Sequence, residues 1–348
     1  MMKTMKAAVV HGKGDIRLEQ IPIPIPKQGE ILIKVMGSGV CATDVKILGG
    51  TGLPKHLPTI LGHEVAGTIA AIGDGVTEYS LNDKVAVYPI AACGDCFFCQ
   101  KEKYNLCLTP YGLAHGADGG FAEYMIIPHQ IIKLEGIIPL DYELPFDMAA
   151  MIEPISCCIS ASRMCNTNKD STVLIIGAGP LGLMHCLISK DLGAKVFVAD
   201  INEERLSIAK ILGADKIINP EKENLEDTIK QLTNKIGVDI VIAAIGNTRI
   251  VEKSLPLVRN GGIFNIFGGT PKNETITLDP RWLHYGEIIL TGTFAAGLQD
   301  FKDTYIFVKD NQTKINNIIS GRYPLEKIDD IIQNIKTGRA LKSIITFE

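Results

Sequence analysis

The segment STVLIIGAGPLGLMHCLISKDLG, residues 171–193, restricts the fold more than any other part of the chain. It begins with Val, Leu and Ile in an unbroken run, as a strand buried on both faces requires. It ends as a helix closed by Gly193. Between them, Gly177 to Gly182 fit G-x-G-x-x-G, a pattern that is weak alone and specific between a strand and a helix. Gly177 permits a tight turn, Gly179 lets backbone approach a pyrophosphate, and Gly182 lets helix and strand pack closely. Pro180 and Leu181 open the helix, whose free N–H groups favour phosphate.

The same pattern continues downstream. KVFVAD reads as a strand, INEERLSIAKILGA as a helix, and VDIVIAAIG, GGIFNIFGG and EIILTGTF as further strands. Such alternation predicts an α/β domain, a doubly wound parallel sheet with helices on both faces. Asp200 ends the second strand, where a carboxylate accepts from the adenosine ribose hydroxyls and repels a 2′-phosphate. Arg205 is the first basic residue after it, so NAD is expected over NADP. The competing reading makes Asp200 a cap for the next helix.

Residues 1–152 read differently, as a compact β-rich domain of short apolar runs such as EILIKVMGSGV and EVAGTIAAIGDGV. The tail, 292–348, has a helical pattern around DFKDTYIFVKD and ends in the strand-like KSIITFE. A length of 348 residues suits two domains. A net charge of −4 without a long run of one sign offers no surface for nucleic acid or membrane. No apolar stretch is long enough to span a bilayer, and no signal peptide is visible, so a cytoplasmic protein is expected.

CGDCFFCQKEKYNLC places Cys93, Cys96, Cys99 and Cys107 at C-x2-C-x2-C-x7-C. A reducing compartment disfavours disulfides. An iron–sulfur run would bring its fourth cysteine about three residues on, followed by proline. Here Leu108 follows, and the spacing favours four thiolates closing a tetrahedral shell around zinc over a cluster or free thiols. A closed shell has no position for substrate, so this zinc is structural. Elsewhere, Cys41 in VCATD, His63 and Glu64 in GHE, and Glu153 in EPIS offer sulfur, nitrogen and oxygen donors. Catalytic zinc takes three protein ligands and keeps one position open.

The ordered motifs VCATD, GHE, the four cysteines, EPIS and GAGPLG resemble the zinc-containing medium-chain dehydrogenases, nearest their sorbitol (polyol) and threonine dehydrogenase branch. The resemblance spans essentially the whole chain. It implies a GroES-like catalytic domain, a Rossmann domain over 153–291, and a return of 292–348 to the catalytic domain. It implies Cys41 and His63 as catalytic zinc ligands, and Glu64 as a ligand or near neighbour of the metal. Glu153 supplies the remaining ligand or holds the water on the metal. Thr43 matches the hydroxyl that passes the substrate proton outward, and Lys342 a basic residue against the cofactor pyrophosphate. Lys46 stands where many members carry a relay histidine, so the outward route is left to the cofactor ribose, water or a residue such as His56. The expected enzyme uses two zinc ions, one catalytic and one structural, and NAD. It oxidises a small polyol as a homo-oligomer, a tetramer or dimer, with L-threonine or another secondary alcohol as the alternative substrate.

Overall fold

The apolar run after Ser171 forms the strand Thr172–Ile176, and the helix Pro180–Asp191 follows it directly. The computed structural model describes residues 3–52, 54 and 56–348. Two compact units emerge: residues up to 156 with 296–348, and residues 157–295. The divisions fall inside the helix Ile152–Met164 and just before the helix Leu298–Asp310, against expected boundaries at 152 and 292.

Unit 157–295 holds six parallel strands. Their order is Lys216–Ile218, Lys195–Ala199, Thr172–Ile176, Val238–Ala243, Val258–Ile266 and Ile289–Gly292. Sheet growth reverses between Thr172–Ile176 and Val238–Ala243. The carboxyl ends at that switch are where such sheets take ligands. Leu174, Ile176, Phe197, Val241 and Phe264 form part of one buried cluster. Burial of each such side chain stabilises the fold by about 1.5–3 kcal/mol. Lys216–Ile218 had not been expected, because three residues show no period.

The other unit is built on a sheet ordered Ile137–Pro139, Lys84–Val87, Glu64–Ile72, Ile31–Val40, Lys342–Thr346, Ile319–Tyr323, with Tyr124–Ile127 also pairing Ile31–Val40. The tail thus supplies two of its strands. Ile344 pairs with Gly39, and Gly39 with Glu64, so three remote segments meet side by side. The cysteine-rich segment lies between Ile90–Ala91 and Tyr111–Leu113, which pair antiparallel. It buries Ala92, Cys99 and Cys107 and is too small to hold a large apolar core. Among the described residues no helix is long and apolar enough to cross a membrane.

Candidate metal centres and cofactor loop

The four cysteine sulfurs of residues 93–107 lie within 4.8 Å of one another. Cys93 Sγ is 3.8 Å and Cys96 Sγ 3.5 Å from Cys99 Sγ. Tetrahedral zinc with its ordinary sulfur distances sets neighbouring sulfurs roughly 3.8 Å apart. Backbone N–H groups of Asp95 and Cys96 lower the Cys93 thiol to about 6, and those of Leu108 and Cys99 lower Cys96. Burial pushes Cys99 up to about 12. Four sulfurs at this spacing, with N–H donors around them, fit a divalent cation.

A second donor group forms where two strands meet. Ile31–Val40 ends at Cys41, and Glu64–Ile72 begins beside His63. Because Gly39 pairs with Glu64, the ends fall together, and ligand atoms of Cys41, His63 and Glu64 lie within 4.8 Å of one another. Gly62 turns with φ +96°, and a Cβ there would lie 2.5 Å from the Phe121 ring, so GHE needs its glycine. Cys41 precedes the helix Ala42–Leu48. Thr43 is exposed in its first turn and Lys46 exposed in its last. Glu153 is half-buried in the first turn of Ile152–Met164, and His56 lies exposed in a loop.

Asp44, buried beneath the centre, accepts from the N–H of Cys41 at 2.9 Å and of Gly62 at 3.3 Å. Its Oδ1 lies 3.4 Å from His63 Nδ1. In the sequence Asp44 stands only as the last letter of VCATD, with no role assigned to it. Its signal is the three-residue spacing from Cys41, which lets a helix-start carboxylate reach back to the preceding N–H. Burial opposes charge on His63, but Asp44 and Cys41 overcome it and raise the imidazole well above its usual range. The negative field of Asp44 and Cys41 that does this would also favour a cation in its place.

Lys342, expected against the cofactor pyrophosphate, pairs with a carboxylate of its own unit. It is 4% exposed, with its ammonium against both Glu64 carboxylate oxygens and 3.3 Å from the Val40 carbonyl. Burial works against its charge, but Glu64, Cys41 and Glu153 outweigh that and raise its pKa. The physical reason for the pairing is register: Lys342 and Ile344 point to one sheet face, which Glu64 shares through Gly39.

In the other unit Gly177, at φ +98°, starts the turn after Thr172–Ile176. A Cβ on Gly182 would sit 1.8 Å from the Gly177 carbonyl, whereas one on Gly179 would meet nothing within 4 Å. The turn is therefore closed on the protein side and open at Gly179, as a phosphate cradle requires. Pro180 and Leu181 follow at the helix start. Asp200 accepts from the N–H of Ala178 at 2.6 Å and of Asn202 at 2.8 Å. Asn202, not Asp200, caps the helix Glu203–Ile211, and it does so through the Arg205 N–H. The carboxylate is thus tied to the glycine turn itself, at the strand end where a ribose is bound in such sheets.

Residues 27–136 match the alcohol dehydrogenase GroES-like domain, and residues 180–309 match the zinc-binding dehydrogenase domain. The chain is 34% identical to a sorbitol dehydrogenase of Bacillus subtilis strain 168, over 95% of this chain and 93% of that one. The chain belongs to the zinc-containing medium-chain dehydrogenases. Within that family it is also 29% identical to an L-threonine 3-dehydrogenase of Symbiobacterium thermophilum, over 99% and 98% of the two chains. A solved alcohol dehydrogenase from E. coli CFT073, complexed with NADH, superposes with a TM-score of 0.90 at 26% identity, covering 99% of this chain and 100% of that one. As a medium-chain dehydrogenase the protein is an oxidoreductase acting on an alcohol, with a GroES-like domain and a Rossmann domain. Zinc and a nicotinamide dinucleotide are the cofactors of such an enzyme.

Proposed function

We propose that this dehydrogenase oxidises a secondary hydroxyl of a small polyol or sugar-derived alcohol, using NAD. The observation that carries the reading is the donor set of the second centre, Cys41 and His63 with the carboxylate Glu64; the resemblance adds Glu153 where a simple-alcohol enzyme has a second cysteine. Carboxylates accept hydrogen bonds from neighbouring hydroxyls of a polyol, and a site built for them rejects analogues that lack them. Kinship with a sorbitol dehydrogenase supports this, and kinship with a threonine dehydrogenase supports the nearest rival.

Cys41 and His63 would hold one zinc, and the four cysteines of residues 93–107 the other. When bound, zinc supplies Lewis acidity toward the substrate oxygen, and NAD supplies the hydride acceptor. Thr43 takes the proton leaving the hydroxyl and passes it outward. Asp44, with Oδ1 3.4 Å from His63 Nδ1, would orient the imidazole and leave Nε2 for the metal. Gly177 and Gly179, with the helix start at Pro180 and Leu181, take the pyrophosphate. Asp200 takes the ribose and disfavours a 2′-phosphate, which supports NAD over NADP. Ile289–Gly292 is an edge strand with Ile289 exposed, a liability that a second copy would cover, in line with a homo-oligomer. Nine cysteines without a disulfide among them suit a reducing cytoplasm.

The test is kcat/KM with NAD across sorbitol, xylitol, ribitol, galactitol, a phosphorylated pentitol, 2,3-butanediol, L-threonine and ethanol. A polyol or its phosphate is expected to lead. Preference for ethanol or L-threonine over every polyol would overturn the substrate class.

A further inference from the structure

A histidine outside every motif lies beside the second centre. His115 sits in the turn between Tyr111–Leu113 and Gly116–Ala117. The N–H of Ala114 donates to the Ala117 carbonyl at 2.9 Å, and that of His115 to the Gly112 carbonyl at 3.0 Å. Ala114 is fully buried and holds φ +63°, a conformation seldom taken by a residue with a Cβ. Its surroundings therefore fix the turn in one shape, and such backbone outliers collect where a side chain has to be aimed. The stretch after the turn is clamped to the residues that lead into His63. Asp118 accepts from the N–H of Ile60 at 2.9 Å. The N–H of Gly119 donates to the Ile60 carbonyl, and that of Gly120 to the Gly62 carbonyl, each at 2.8 Å. The seam leaves no room for side chains: a Cβ on Gly119 would lie 2.2 Å from the Gly62 carbonyl oxygen. The turn that carries His115 and the segment that carries His63 thus form one hydrogen-bonded piece.

We propose that His115 is a substrate-binding residue that hydrogen-bonds a hydroxyl of the polyol other than the one oxidised. This deepens the polyol reading above and rests on it. The ring is exposed, yet burial by its surroundings and the charge of His63 lower its pKa, while Asp44 pulls the other way. A ring open to solvent that still feels burial stands in a recess. A ring that feels both His63 and Asp44 stands near them, because such coupling fades with distance. Near pH 7 the imidazole is neutral, with one N–H that donates and one nitrogen that accepts, which matches a hydroxyl. It offers no charge to a phosphate. An alcohol with a single hydroxyl has nothing to give this ring, so the contact acts on polyols alone.

The experiment compares the wild type with His115→Leu, His115→Ala and His115→Gln. It reads kcat and KM with NAD for the polyol the wild type prefers and for 2-butanol, which has one hydroxyl; where 2-butanol is a poor substrate, its inhibition constant against the polyol takes the place of turnover. Zinc content, NADH binding and melting temperature are measured alongside. His115→Leu is expected to lower kcat/KM for the polyol by about tenfold, the scale of one lost hydrogen bond. For 2-butanol the change should stay below about twofold. His115→Gln keeps a donor and an acceptor and should recover part of the loss. Zinc content, NADH binding and melting temperature should hold at wild-type values, since the ring is exposed. An equal loss on both alcohols, or no loss on the polyol, overturns the proposal. His115→Ala decides by the same comparison if His115→Leu does not fold. A wild type that prefers ethanol or L-threonine over every polyol fails the substrate class first and takes this proposal with it. That failure shows in the wild type alone, whereas failure of the His115 contact shows only in variants of an enzyme that does prefer a polyol.

Discussion

Glu153 and Asp200 make the sharpest single-residue claims. Glu153 adds charge beside Lys342 and stands close to the second centre, so Glu153→Ala should lower kcat by about 10- to 100-fold, the scale of lost outer-shell support. Cys41→Ser and His63→Ala should cost more, since each removes a direct donor; steady-state kinetics beside zinc content separate the two cases. Asp200→Gly removes the carboxylate from the glycine turn and is expected to raise KM for NAD and narrow its advantage over NADP, measured with both cofactors. Residue types and their order were legible in the sequence because each donor is chemically distinct. What was not legible is who pairs with whom. Lys342 meets Glu64 from 278 positions away in sequence, a fact of register with no local signature.

At the level of elements, the helix Pro180–Asp191 carries a hidden acid sensitivity. His185 on it is 1% exposed, neither ring nitrogen has a partner, and its ring packs edge-on to Phe267 at 4.4 Å. Burial lowers its pKa to about 3. Unfolded, the imidazole takes its proton near pH 6.5; folded, it refuses it until about 3. Between those values the unfolded state binds more protons, so stability rises with pH and falls as the medium is acidified. At pH 5 the loss from this one group is about 2 kcal/mol. His185→Phe should therefore lose about 2 kcal/mol less than the wild type between pH 7.5 and 5, read from denaturant melts. Sequence reading found this helix and its strand because their periods differ over more than ten residues. It missed Lys216–Ile218, since three residues leave no period, and that strand is fixed by its neighbour Lys195–Ala199.

Across the whole molecule two metals are expected per chain, each with a different job. Elemental analysis should give two zinc ions, and Cys96→Ser should retain one and lower the melting temperature, because the lobe of residues 93–107 has almost no apolar core apart from its ligands. Iron in place of zinc, or two zinc ions surviving in Cys96→Ser, would reject that assignment. The division into two units was readable because unbroken buried strands give way to mixed ones; the places of division were not, since the helix Ile152–Met164 runs across the first. The return of the tail has a further consequence in time. Ile31–Val40 receives Lys342–Thr346 as a neighbour only after some three hundred residues more have been made. At about 5–20 residues per second, a ribosome needs roughly 15–60 s to reach them. Throughout that interval the Gly37–Val40 end of the strand leading into Cys41 presents a bare hydrogen-bonding edge to the crowded cell, while Tyr124–Ile127 covers only its Ile31–Lys34 end, so the nascent chain depends on shielding there until Lys342–Thr346 arrives.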